Sequence, residues 1–129
     1  MITNQYSHGW CVKIIIMKII DSPIKKTDLK SCQNQIDNIA VKGVVDVEKE
    51  LLAIDAEFHA DLEQFLLQNG SNQHDLWGIN LYFEEDDLDD FLEFDSMINL
   101  RPSQNNRSRG VDSPELREKI QKVVTKWVK

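Results

Sequence analysis

Cysteine is scarce in this chain, and so is any long apolar run. The two cysteines, Cys11 and Cys32, lack the close pairing of a metal knuckle and read as reduced thiols of a cytoplasmic protein. The one apolar stretch, from Val12 to Ile20, is broken by Lys13 and Lys18 and is too short to span a bilayer. No small-residue cleavage site follows it. There is no Ser-His-Asp order, nucleophile elbow or Cys-His pair, which removes the familiar covalent hydrolases. Repeats, linkers and low-complexity tracts are absent too. Positive charge is short overall, with a formal net charge of -7, and this argues against general binding to nucleic acid or an anionic membrane.

What is present is globular: 41% hydrophobic and 29% charged residues describe a chain that folds, and 129 residues suit one domain able to bury its own core. The charge is graded. Residues 1–44 carry +3, residues 45–100 carry sixteen acids against Lys49 alone, and residues 101–129 carry +5. Such opposite regions can satisfy one another within the fold, across a homodimer, or through a partner. The words MKIID suggest that a domain begins at Met17 (17–129), with residues 1–16 as an N-terminal extension.

Periodicity gives the elements. Val12 to Ile20 reads as a first strand. Thr27 is an expected N-cap for a modest helix with Leu29, Cys32 and Ile36 on its apolar stripe, ending near Asn38. Residues 39–47 alternate as a strand, Glu48-Lys49-Glu50 turns, and the chain returns through Leu52, Ile54, Ala56 and Phe58. Phe58, Leu62, Phe65 and Leu66 then recur at helical spacing up to Asn69-Gly70, leaving His59 either on the strand or at the helix start. Residues 76–84 form another strand with Trp77 inside. An acidic tip, 85–90, repels itself and is expected to be mobile and solvated. Residues 91–101 alternate again as a strand. Ser113-Pro114 opens the last helix, whose stripe is Leu116, Ile120, Val123, Val124 and Trp127 beneath a basic outer face. The expectation is one α+β domain: a four- to five-stranded, mainly antiparallel sheet with helices packed on one face. The other face should then be polar.

Two stretches carry candidate chemistry. Asp55-x-Glu57-x-His59, with Asp46, Glu93 and Asp95 from neighbouring strands, would set carboxylates and an imidazole on one sheet face, able to recruit a hard divalent cation such as Mg²⁺ or Ca²⁺. The metal-ligating candidates are therefore Asp55, Glu57, His59 and Asp95; the bland reading is a solvated face balanced by Lys42 and Arg101. The second stretch is Arg101-Pro-Ser-Gln-Asn-Asn-Arg-Ser-Arg-Gly110. Its Arg101, Gln104, Asn106, Arg107 and Arg109 suit an anion, a phosphate or carboxylate, held next to a helix N-terminus. The bland reading there is an internal clamp, because loop arginines commonly pair within their own fold.

The words VVDVEKELLAIDAEFHADLEQFLLQNGS, DLWGINLY and FDSMINLRPSQNNRSRGV resemble a small bacterial family of uncharacterised proteins, over about Met17 to the C-terminus. The resemblance implies a single domain and brings no activity or cofactor. The functional expectation is a non-catalytic binding or interaction module engaging an anionic small molecule or a protein partner through the polar sheet face and the arginine loop. The alternative is a small metal-assisted hydrolase in which the carboxylate and histidine cluster holds a divalent cation and the arginines clamp a phosphate.

Overall fold

The computed structural model describes residues 16–129. The strand expected from Val12 falls partly outside them, as do Cys11, His8 and nearly all of the expected extension. The described strands are β1 (Lys18–Ile19), β2 (Val41–Asp46), β3 (Leu51–Ile54), β4 (Leu76–Leu81) and β5 (Leu92–Glu93), and the helices are α1 (His59–Gln68), α2 (Leu88–Phe91) and α3 (Pro114–Trp127). They form one antiparallel sheet in the order β1-β3-β2-β4-β5, so the chain is a single α+β domain. No helix among the described residues is long and apolar enough to cross a membrane.

Strand alternation sorts side chains onto two faces. Val41, Val45, Leu52, Ile54, Trp77, Ile79 and Leu81 share one face with Ile120, Val123 and Val124 of α3. Val44, Ala53 and Leu76 point the other way and meet Leu62 and Leu66 of α1. The two long helices therefore lie on opposite faces, whereas the sequence suggests one. The reason is local: β2, β3 and β4 each carry a small or aliphatic residue in their second register, enough to seat a ten-residue helix. That helix covers only part of its face. Lys42, Asn80 and Glu93, paired side by side across β2, β4 and β5, lie beyond its first turn.

Turn chemistry sets the boundaries. The β2–β3 turn is held by the buried Asp46, whose Oδ1 accepts the amides of Glu48 and Lys49 while its Oδ2 takes the Ser71 hydroxyl at 2.6 Å. α1 ends where Gly70 adopts φ 101°, with the amides of Gly70 and Ser71 returning to the carbonyls of Leu67 and Leu66. α3 starts as its sequence demands: the Ser113 hydroxyl accepts the amide of Leu116, and Pro114 occupies the first helical position.

Three expected elements change. The helix from Thr27 to Asn38 is a single 3-10 stretch, Lys26–Ser31, because Asp55 draws the amides of Gln33 and Asn34 onto its carboxylate and Asp37 and Asn38 turn at positive φ. The acidic tip is not a free loop. It contains α2, and Lys26 reaches across to the carbonyls of Glu85 and Asp86 and sits 4.5 Å over the Phe91 ring. The strand expected over residues 91–101 pairs only at β5; Ser96 then caps a 3-10 turn, Met97–Asn99. Cys32 is a buried free thiol, pushed up to about 11 by burial and then by the nearby Asp55 charge, so it stays protonated at neutral pH.

Candidate functional site

The arginine loop is occupied by its own fold. Asn99, fully buried, presents its amide to the open edge of β4: its Oδ1 accepts the Gly78 amide at 2.8 Å, and its Nδ2 donates to the carbonyls of Gly78 and Arg109. Arg101 is buried as well. It stacks 4.0 Å over Trp77 and donates to the carbonyls of Gln73 and Leu76 and to Gln104 Oε1. Burial holds its pKa below the usual arginine range. Gln104 donates to the His74 carbonyl. Asn106 donates to the carbonyls of Asn99, Ser108 and Gly110 and accepts the Asp112 amide. Asp112 in turn accepts the Ser108 hydroxyl and the Arg107 amide, which lower its pKa in that order. The Arg107 side chain is exposed, and Arg109 pairs with Asp95 at 2.7 Å.

The expected metal set does not converge. Asp55 stands at φ 76°, just past the end of β3, so Asp55, Glu57 and His59 leave the strand and lose the shared side that the spacing suggests. The Asp55 carboxylate accepts the amides of Gln33 and Asn34 at 3.0–3.2 Å and Asn34 Nδ2. Glu57 is exposed, His59 is the first residue of α1, and Asp95 holds Arg109. Among the described residues no three histidine, cysteine or acidic side chains come together as metal ligands.

A different set does converge. Beyond the N-terminus of α1 lies a cleft of about 460 Å³, floored by Lys42, His59, Asn80, Tyr82 and Glu93 and closed on one side by Asp95, Ser96 and Arg109. Its rim is apolar: Phe58 and Met97 are 57% and 62% exposed. Gly78 makes the approach possible, because a Cβ there would lie 2.5 Å from the Ser96 Cβ and 3.2 Å from the His59 ring. α1 begins at this cleft with no side-chain cap on its first amides.

The hydrogen bonds of the cleft are incomplete. Asn80 Nδ2 donates to Glu93 Oε1 at 2.8 Å and to the Asp95 carbonyl at 3.3 Å. The Tyr82 phenol donates to the same Glu93 oxygen, and burial followed by that bond raises its pKa. Both partners of Asn80 Nδ2 are acceptors, which fixes the orientation of the amide. Its Oδ1 makes no hydrogen bond among the described residues and is closed to solvent, in a residue only 6% exposed, with the His59 ring as its neighbour. His59 Nε2 lies 2.8 Å from the Ile79 carbonyl and must carry hydrogen, so Nδ1 is where a further proton would go. Burial dominates there and lowers the histidine's pKa, against smaller opposing effects of the Ile79 carbonyl and the Asn80 amide.

Of the residues expected to act, His59, Asp95 and Arg109 reach this cleft. Glu93, named with the carboxylate cluster, forms its floor with Lys42, Asn80 and Tyr82, which belong to no motif; their signal is only that each falls on the polar side of its strand. Phe58 and Met97 were invisible as rim residues because apolar side chains read as core.

A protein family of unknown function, DUF5674, has a family model that matches residues 18–127. The chain belongs to that family. No curated protein and no solved structure matches it.

Proposed function

We propose that this member of DUF5674 is a non-catalytic binding module, and that an anionic small molecule, or an anionic group of a protein partner, enters the cleft at the start of α1. The observation that carries this reading is the uncapped N-terminus of α1 opening beside Lys42. Free amides at a helix N-terminus and a nearby ammonium attract an anion together, and each is ordinarily worth a fraction of a kcal/mol or more. The apolar rim of Phe58 and Met97 adds area that excludes water from such a contact. Arg109 contributes from the wall while bound to Asp95. The rest of the arginine loop enters only as scaffold: the Arg101 terminal nitrogens and the Gln104 and Asn106 amides donate to carbonyls of their own chain.

Thermal shift and calorimetry against acetate, phosphate and larger carboxylates test this. A bound anion at about 100 times its dissociation constant adds roughly 2.7 kcal/mol and raises the midpoint by several degrees. Lys42→Met is expected to abolish the shift and Arg107→Ala to leave it. No shift with any anion, or a shift lost in Arg107→Ala and kept in Lys42→Met, would overturn the reading.

A further inference from the structure

The two margins of the sheet differ. Next to β4, Asn99 supplies the Gly78 peptide with both of its hydrogen bonds. At the opposite margin β1 is the outermost strand, and among the described strands it pairs with β3 alone. The Ile20 amide donates to the Leu52 carbonyl at 2.8 Å, and Ile19 stands opposite Ala53. Bonded and open pairs alternate along an antiparallel ladder, so the N–H and C=O of Ile19 point away from β3. The same alternation turns the peptide groups of Met17 and Asp21 outward, and no backbone group of the described residues bonds any of them. Ser22-Pro23 ends the run, which leaves an edge from Met17 to Asp21 roughly 16 Å long.

This margin is also apolar on the α1 side. Met17 and Ile19 are half-buried against the cluster built on Leu62 and Leu66, and so are Leu51 and Phe65. α1 packs chiefly on β2, β3 and β4, so it leaves the β1 side half-covered. A groove of about 460 Å³ opens there, walled by Ile16, Met17 and Phe65. A row of outward peptide groups next to half-covered aliphatic side chains is a surface that takes up another strand.

The sequence narrows which strand that is. Val12 to Ile20 contains no Gly, Pro, Asn or Asp, so it offers no tight turn that would fold the preceding residues back along Ile19. A second copy fits by symmetry, because an antiparallel pair sits on a two-fold axis with each edge supplying the groups the other needs. Centred on Lys18 or on Asp21, such a pair sets like charges opposite one another. Centred on Ile19 it overlaps the whole edge, with Ile19 against Ile19 and Met17 against Asp21, for about six hydrogen bonds. We propose that the chain forms a homodimer by antiparallel pairing of its β1 edges about Ile19, which joins two five-stranded sheets into one. Asn99 occupies the other margin, so the pairing stops at two.

The test reads the mass of the full chain by sedimentation equilibrium together with the exchange of single amide protons. A short edge gives an interface at the weak end, so the mass is expected to approach twice 15.0 kDa at high concentration and to fall toward one chain on dilution. The Ile19 amide is expected to exchange at least about tenfold more slowly in the dimer than in the monomer, while the Ile20 amide, held by Leu52, stays slow in both. Ile19→Pro removes an N–H that β3 does not use and is expected to leave a monomer. Met17→Glu keeps the backbone and sets a second carboxylate against Asp21 of the copy, so it is expected to weaken association at least about tenfold. Should the proline variant fail to melt cooperatively, Met17→Glu and the wild-type exchange pattern decide. A chain that stays monomeric at every concentration overturns the proposal, as does an Ile19 amide that is slow in the monomer or fast in the dimer. A dimer that survives Met17→Glu and dissociates in Phe58→Ser overturns it in favour of pairing through the cleft rim.

Discussion

The segment from Asn99 to Asp112 and the cleft beside α1 hold similar inventories: amides, carboxylates, hydroxyls and at least one cation. In the first, nearly every buried donor meets an acceptor on the chain itself. Asn99 makes three hydrogen bonds and Asn106 four, and Arg101 grips two carbonyls and a ring. In the second, a buried oxygen is left over, a helix start has no cap, and two large apolar side chains stand in solvent. Polar richness marks both regions; in the loop the unmet groups are Arg101 Nε and the Nε1 of Trp77 beneath it, whereas the cleft combines an unmet oxygen with an uncapped helix start and an exposed apolar rim. A saturated network stabilises the fold and has nothing left for a ligand, whereas an unsaturated one costs stability until something fills it.

That contrast is open to attack by substitution. The largest effect is expected from Asn99→Ala, which strips partners from the Gly78 amide and carbonyl and from Arg109, and should cost about 3 kcal/mol or more in urea unfolding. A loss under about 1 kcal/mol would mean that the network is not what holds this segment. Arg101→Met keeps the stem over Trp77 but abandons two carbonyls, for roughly 2 kcal/mol, and Arg101→Lys should recover only part because an ammonium lacks the planar fork. Gly78→Ala lies where the two regions meet. Its methyl would collide with Ser96, costing about 1–3 kcal/mol and displacing the cleft wall, so it should lower stability and ligand affinity together.

Smaller effects separate the regions further. Burial lowers the His59 pKa, so near pH 6.5 the unfolded chain binds more protons than the folded one. Stability from this residue is complete above pH 6.5 and is lost as pH falls below it toward the depressed folded-state value. Urea midpoints between pH 7.5 and 5 should decline in the wild type, and the part due to His59 should vanish in His59→Gln; an unchanged decline would place it elsewhere. Least of all in stability, Lys42→Met should stay within about 0.5 kcal/mol of wild type while removing anion binding, the reverse of Asn99→Ala.

Much of the framework was legible in the residues. Alternation located β2, β3 and β4, the Ser113-Pro114 start and its stripe located α3, and Asn69-Gly70 marked the end of α1. What escaped depends on bonds between side chains and distant backbone. Asp55 unwinds residues 33–34, and Asn99 replaces a strand next to Gly78; neither leaves a periodic trace. The site was half legible for a related reason. Composition displays the donors of residues 101–110 but not the carbonyls that consume them, and no pattern shows that Asn80, unlike Asn106, has an oxygen to spare.

β5 pairs with β4 only at Asn80 and Leu81, so the outer edge of β4 from Leu76 to Ile79 would otherwise present bare peptide groups. Such an edge templates pairing with any passing strand and is a common start of aggregation. Asn99 offers Gly78 one acceptor and one donor, the same pair a neighbouring peptide unit would offer, and Arg101 blocks the Leu76 carbonyl. Two side chains thus serve as a counterfeit strand that ends the sheet, guarding the protein against polymerising through its own edge.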